Sequence, residues 1–391
     1  LASTYMPTVM LSLFCPNRHT GENFMTSKEQ GGGFQEYENL HEFARAAKAK
    51  LSIETWDYLM GGAETETTQR RNRLALDTVG FRPRVLRDVE HIDCGGKILG
   101  HEMKLPIILA PIGSLQDFDP EAGVAPTLAA ADAGVMHMVS SRTQPDLEEV
   151  AAVVDYPKIF QLYVHGNAEW VNDYIRRAID SGYTGFAFTV DLDHYGRRER
   201  DLAKRHRVTS RLRKVEMKWQ NRFKWDDIAR IRKKFDIPMV LKGIATSEDA
   251  AMALEHGIEA IYVSNHGGRQ LDHGRGSLDV LPEIVEVAGD KAEVYIDGGF
   301  LRGTDVVKAM AMGADAIGLG RLQGLALGAN GRTGVVRMLE LLETEIRICL
   351  GLLGVTSYAE LDDSYLHAVS PTEFPGPLSA FPLLFEDYLY E

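Results

Sequence analysis

From about residue 105 onward, short apolar runs alternate with amphipathic segments at a regular spacing. The runs fall at 107–113, 136–141, 159–164, 185–191, 238–243, 260–266, 294–299 and 316–321. Each is too short for a helix and too continuously apolar for a strand with one wet face, so it reads as a strand buried on both sides. Between the runs lie 120–134, 145–154, 168–182, 226–235, 247–257, 278–288 and 303–313, and 333–353 follows the last. These segments repeat apolar residues at three- and four-residue spacing, as in Val306, Val307, Met310 and Ala311, which predicts helices. Several stop at a glycine (Gly134, Gly182, Gly257, Gly313), the residue that most readily takes the left-handed turn closing a helix. Eight strands, each followed by a helix, predict an α/β protein with a parallel sheet covered on its outer face. Closure into a (β/α)8 TIM barrel fits best, because eight is the number that closes. An open, doubly wound sheet is the alternative.

Ahead of the barrel (105–360), residues 36–104 read as an N-terminal cap with helices over 40–50 and 54–60. Residues 1–35 read as a flexible segment and 361–391 as a C-terminal tail. The segment 204–224 breaks the alternation, with nine Lys/Arg against one acid, Glu216. It is either a solvated excursion after strand four or an electropositive rim that draws anionic substrates or an acidic partner.

Composition narrows the class without choosing a function. Of 391 residues, 45% are hydrophobic and 25% charged, as in ordinary soluble domains. A net charge of −13 argues against general nucleic-acid affinity. Cys15, Cys94 and Cys349 are too few and scattered for a disulfide framework or a metal site, which points to a reducing, cytoplasmic setting. No run is long enough to span a bilayer. The apolar patch at 9–14 has no basic segment before it, which argues against a secretory signal, and Met25 is a candidate native start.

Catalytic side chains of such barrels stand at the C-terminal ends of the strands. Those ends carry Gly113, Ser140, Arg142, Gln161, Tyr163, Thr189, Asp191, Lys242, His266, Arg269, Asp297 to Gly299, and Gly320 with Arg321. The densest is Ser264-Asn265-His266-Gly267-Gly268-Arg269-Gln270-Leu271-Asp272. It sets an imidazole and a guanidinium three residues apart. That pairing suits removal of hydrogen from a carbon beside a carboxylate, with the imidazole as base and the guanidinium as a two-pronged grip.

With these residues on one face, the chain resembles the FMN-dependent 2-hydroxy acid oxidase and dehydrogenase family, over about residues 39–361. The most specific motifs are 264–272 and Asp-Gly-Gly-Phe-Leu-Arg-Gly-Thr-Asp at 297–305. Gln-Leu-Tyr (161–163), Thr-Val-Asp (189–191), Gly-Arg-Arg-Glu (196–199), Leu-Lys-Gly (241–243) and Gly-Leu-Gly-Arg (318–321) support them. The resemblance implies oxidation of an (S)-2-hydroxy acid by FMN, with hydride passing to flavin N5 and electrons to dioxygen or another acceptor. It also implies a homotetramer. It assigns His266 as base, Asp191 as its orienting carboxylate, and Tyr163 as a hydrogen-bond partner of the substrate oxygen. Arg269, Arg198 and Tyr58 are assigned to the substrate carboxylate. Lys242 is assigned to the flavin N1–C2=O edge, with Gln161, Thr189, Ser140 and Ser264 around the ring or ribityl chain and Ile112 and Gly113 beside it. The phosphate is expected on backbone N–H groups of Gly298, Gly299 and Gly320, with Arg321 as counter-ion, and Asp297 is counted among the cofactor-binding residues.

Three departures bear on substrate and cofactor. Residue 301 is Leu where the family usually has an arginine beside the phosphate, so Arg302 or Arg321 is expected to serve. Arg142 stands where glycolate oxidase has a large aromatic facing the substrate. It implies either a substrate with a second anionic or strongly polar group, or an ion pair with Asp117, Asp119 or Asp193. The loop after strand four is short, basic and lacks a membrane-binding apolar stretch, which suits a bulky or charged acid. The rivals are a non-redox FMN barrel such as a type 2 isopentenyl diphosphate isomerase, which leaves His266, Arg269 and Arg198 together unexplained, and a protein that holds FMN without turnover.

Overall fold

The computed structural model describes residues 36–205, 209 and 218–385. The expected N-terminal segment 1–35 and much of the basic loop 204–224 lie outside the described residues. Eight parallel strands close into a barrel in sequence order: β4 (Ile107–Leu109), β5 (Met136–Ser140), β6 (Lys158–Leu162), β7 (Gly185–Thr189), β8 (Met239–Ile244), β9 (Ala260–Val263), β10 (Glu293–Ile296) and β11 (Ala316–Leu319). Pairing of Ile317 with Ile107 seals the ring. The open-sheet alternative is thereby excluded. Most strands stop before the apolar runs do, because the last residues of each run leave the ladder and curl over the barrel mouth.

Register sets the polar ends side by side. Ser140 pairs with Gln161 and Thr189 with Lys242, so one rim collects what the sequence places at separate strand ends. A register shift lies between Lys242 and Ile244. At its centre Gly243 takes φ +117°, and a Cβ there would lie 2.7 Å from that of Asp191. The bulge and the missing side chain together admit the aspartate.

The barrel interior is filled by Ile108, Met136, Met138, Ile159, Val240, Tyr262 and Tyr295, among others, and joins Ile98 and Met103 of a hairpin formed by β2 (Gly96–Ile98) and β3 (His101–Met103). That hairpin plugs the end away from the strand termini. A second, larger core lies between the strands and the outer helices, among them α4 (Val124–Ala133), α6 (Ala168–Asp180) and α9 (Ser247–Glu255).

Two cap helices fall where the pattern puts them: α1 (Leu40–Lys50), capped by Asn39, and α2 (Ile53–Met60), capped by Ser52. A third, α3 (Thr67–Asp77), was not anticipated. Its buried face is polar, with Thr68, Gln69, Asn72 and Arg73 inside, so hydrophobic periodicity does not reveal it. A short strand β1 (Val79–Phe81) follows and pairs antiparallel with β12 (Leu366–Ala368). The last long helix begins earlier than the pattern indicates: α12 runs Arg321–Leu353 with a break at Asn330 and Gly331. Among the described residues, no helix is long and apolar enough to cross a membrane.

Candidate active site

The chain leaves β9 through a turn in which His266, Gly267 and Gly268 all have positive φ, 59°, 65° and 74°. A non-glycine residue enters that region at a cost of about 1–3 kcal/mol and stays there only when its surroundings impose it. Contacts from three directions do so here. The His266 amide donates to Ser264 Oγ at 3.0 Å, and Asn265 and Asn72 exchange amide hydrogen bonds at 2.7 and 2.9 Å. Gly268 lies against α3, where a Cβ would stand 2.5 Å from the Gln69 backbone nitrogen. Asp272, ending the same motif, accepts from Thr65 and from the Thr68 amide at the start of α3.

The imidazole so placed meets Asp191, with Nδ1 2.9 Å from Oδ1. A carboxylate only accepts, so Nδ1 carries the proton and Nε2 keeps its lone pair. Nε2 faces the Tyr163 hydroxyl at 3.4 Å. Burial holds His266 below its ordinary value; Asp191 offsets part of this, while Lys242 and Arg198 deepen it. Burial would raise Asp191, but His266 and Lys242 outweigh it and keep the carboxylate ionised. Burial pushes the Tyr163 hydroxyl well above its ordinary value, with Asp191 adding, so it remains a neutral donor. At neutral pH the site therefore holds an uncharged imidazole with a free Nε2, the protonation state a general base needs.

Across the same cavity two guanidinium groups flank one aromatic ring. Arg269 and Arg198 lie 4.8 and 5.9 Å from the Tyr58 ring centre, and the Tyr58 hydroxyl donates to the Gly113 carbonyl at 3.3 Å. Arg269 also donates to the Gly61 carbonyl at 2.8 Å. Arg197 is largely exposed and pairs with Glu199 at 3.4 Å. The cavity, about 1300 Å³ with the open solvent at its mouth included, is lined by Tyr58, Ile112, Gly113, Arg142, Tyr163, Arg198, Lys242, His266 and Arg269, and extends past Asp297–Leu301, Gly320 and Arg321.

Lys242 has a protein partner. Its Nζ stands 2.8 Å from Asp297 Oδ2 and 2.7 Å from Ser264 Oγ, and Ser264 donates to Asp297 Oδ1 at 2.6 Å. Asp297 thus serves as counter-ion to the lysine, and Ser264 bridges the lysine and the His266 turn. Arg321 differs. Its Nη atoms donate to the Gly267 and Gly61 carbonyls at 3.0 and 2.9 Å, and no carboxylate among the described residues pairs with it. Burial pushes it down to about 10, so it is still charged at neutral pH. Glu66 and Asp297 act on it from beyond contact, and a buried cation whose hydrogen bonds go to carbonyls favours an anion.

One assignment is corrected. Arg302 does not reach the cavity; its guanidinium pairs with Glu345 at 2.6 Å and donates to the Ala380 carbonyl at 3.4 Å. It precedes α11 (Gly303–Ala311) on the side that faces α12. Reasoning from sequence also missed Gln69 and Arg73, which line the cavity from α3. Arg73 pairs with Asp305 and Asp77 at 2.7 Å each and donates to the Gly299 carbonyl at 3.1 Å. The spacing of Gln69, Asn72 and Arg73, one polar stripe of a helix, is the signal that would have found them.

The residues fit FMN. Gln161 Nε2, Thr189 Oγ1 and Arg321 Nε are buried with no hydrogen-bond partner among the described residues, each costing about 1–3 kcal/mol unless a ligand or water engages it. Ser140 is committed to Gln161 Oε1 at 3.0 Å, which leaves the amide nitrogen of Gln161 as the group on offer. A Cβ on Gly320 would meet nothing within 4 Å, so open space adjoins the N-terminus of α12, where no side chain caps the helix and backbone N–H groups favour an anion. A flat ring edged with carbonyls and nitrogens, carrying a phosphate, supplies what these groups lack.

Fold and site define a flavin-dependent barrel oxidoreductase. Residues 47–368 match the family model of FMN-dependent dehydrogenases. The chain is 37% identical over 358 residues to an L-lactate oxidase of Nostoc sp., covering 84% of this chain and 98% of that protein. It is 34% identical over 366 residues to the glycolate oxidase of Spinacia oleracea, with 88% and 98% covered. A crystal structure of mandelate oxidase superimposes with a TM-score of 0.80 at 37% identity, covering 86% of this chain and all of that one. The chain belongs to the FMN-dependent dehydrogenase family and is an FMN-dependent oxidoreductase of the 2-hydroxy acid oxidase and dehydrogenase type.

Proposed function

We propose that the protein oxidises an (S)-2-hydroxy acid to the 2-oxo acid, with His266 as the base. The observation carrying this is the neutral His266 imidazole, its Nε2 open and its Nδ1 fixed by Asp191, facing Arg198 and Arg269 in one cavity. The two guanidinium groups grip the substrate carboxylate by paired hydrogen bonds and hold the neighbouring carbon in register. Tyr58, within reach of both guanidinium groups, adds its hydroxyl to the same grip by turning from the Gly113 carbonyl to the carboxylate. The substrate hydroxyl then meets His266 Nε2 and the Tyr163 hydroxyl. As its O–H proton passes to Nε2, the imidazolium that forms is stabilised by Asp191. FMN, held by Gln161, Thr189, Lys242 and Arg321, would supply the two-electron acceptor for the hydrogen on C2. Lys242, fixed by Asp297 and Ser264, supplies positive charge beside the acceptor.

Arg142 favours a narrower reading, an acid whose side chain ends in an anion or strongly polar group. It lines the cavity together with Arg198 and Arg269, which adds a third guanidinium to the wall that meets the substrate.

Anaerobic mixing of the yellow protein with lactate, glycolate, mandelate and dicarboxylic, phosphorylated and sulfonated 2-hydroxy acids tests both readings. Loss of flavin absorbance with at least one acid is expected, fastest with those carrying a second anion. Absorbance left intact by every acid sinks the reaction; bleaching only by small neutral ones sinks the narrower reading.

A further inference from the structure

The tail beyond the family match closes one end of the cavity. The match stops at residue 368, yet Gly376 and Pro377 line the cavity together with Gly298, Gly299, Leu301 and Arg321. The chain reaches them from β12, paired to β1, and Val369 then donates to the Thr78 carbonyl at 2.9 Å. Gly376–Ser379 is a tight turn: the Gly376 amide donates to Ser379 Oγ at 3.0 Å, and that hydroxyl donates back to the Gly376 carbonyl at 2.9 Å. Past the turn, Phe381 is fully buried against His41 of α1. The tail is thus fixed on both sides of Gly376.

Arg302 explains why it lies there. Its family-position neighbour, residue 301, is a buried leucine lining the cavity, so this end lacks the arginine that the resemblance places beside the phosphate. Arg302 does not replace it. Held by Glu345, it donates to the Ala380 carbonyl and so fastens the tail beside Leu301. We propose that residues 369–381 form a strap over the phosphate end of the flavin site and that FMN retention depends on it, enclosure standing in for the charge lost at residue 301. The proposal rests on this cavity being the FMN site and adds to it a segment outside the family's matched length.

Two variants test the strap by flavin fluorescence during titration of the FMN-free protein. Gly376→Asp adds an anion on the strap where a Cβ meets nothing within 4 Å. It should weaken FMN binding about tenfold by repulsion of the phosphate while leaving riboflavin binding unchanged. Phe381→Ala removes the anchor and should speed FMN loss on gel filtration in flavin-free buffer. Should that variant fail to fold, Gly376→Asp decides alone. FMN held by a folded Gly376→Asp protein as tightly as by the parent overturns the strap. A parent that binds FMN but is bleached by no 2-hydroxy acid overturns the proposed reaction and leaves the strap standing.

Discussion

The two ends of the cavity are built on different principles. At the His266 end, side chains fix one another: Asp191 holds the imidazole, Asp297 and Ser264 hold Lys242, and Gln270 braces the loop by donating to the His194 carbonyl at 3.2 Å. At the Gly320 end the groups on offer are backbone, an uncapped helix start and the buried guanidinium of Arg321, with α3 and the tail closing the sides. The first end must position hydrogens to within tenths of an ångström for reaction. The second has only to hold a charge, and backbone amides with one guanidinium do that with little side-chain ordering. On the proposed reading, chemistry is therefore concentrated in short motifs and retention is spread over distant segments.

The sharpest way to separate the ends is His266→Ala. If the proposed reaction holds, losing this imidazole should slow flavin reduction by about 10⁴-fold, read by anaerobic stopped-flow, while the protein stays yellow, because the groups left without partners lie elsewhere. A colourless His266→Ala protein would mean that the two ends are one structural unit.

Arg73→Met attacks the other end. Arg73 and Asp305 are both buried, and removing one partner strands the other's charge at a cost of about 3–5 kcal/mol. Thermal unfolding should show that loss. Because Arg73 also donates to the Gly299 carbonyl, FMN affinity should fall with it. Stability lost without any loss of FMN would place Arg73 outside the cofactor's support.

How legible each part was follows from the same division. The barrel was readable because its strands are buried on both faces and its helices on one, so hydrophobic period carries nearly all the information. His266, Arg269, Asp191 and Lys242 were readable because each is a titratable group just past the apolar run of a strand, a placement that core packing alone would not choose. Helix α3 was not readable. Its inward face contacts the His266 turn and the loop after β10, whose exposed backbone groups want polar partners, so Gln69, Asn72 and Arg73 occupy positions where periodicity looks for leucine. Arg302 was misread because adjacency to Leu301 in sequence does not survive the start of a helix: one residue faces the cavity and the next faces Glu345. The part played by Gly376 depends on a long return of the chain, to which local pattern is blind.

Asp191→Asn probes coupling within the catalytic end, and the sign of its pH effect is fixed. His266 must be neutral to act, so kcat/KM falls as pH drops through its depressed pKa. Asp191 is the group raising that pKa against burial. Its removal should therefore move the acid limb to lower pH, while the rate on the plateau drops about 10²-fold as the imidazole loses its orientation and its counter-charge. An acid limb that stays where it is would mean that the aspartate does not act on the imidazole, and one that moves upward would reverse the sign of the coupling.

The smallest effect belongs to Arg142, which shares the cavity with the arginine pair but stands outside the reacting geometry. Arg142→Leu should leave the anaerobic bleaching rate with lactate within about threefold and lower kcat/KM for a dicarboxylic 2-hydroxy acid about tenfold, the worth of one partly screened charge contact. The comparison is internal to one protein, so differences in FMN content cancel. A drop equal for both acids would make Arg142 a support for the loop after β5, where its backbone already binds Ser140 Oγ and the Ser114 amide. A drop confined to the dianion makes it the group that reads the far end of the substrate, and then specificity, like retention, is set from outside the motifs that define the family.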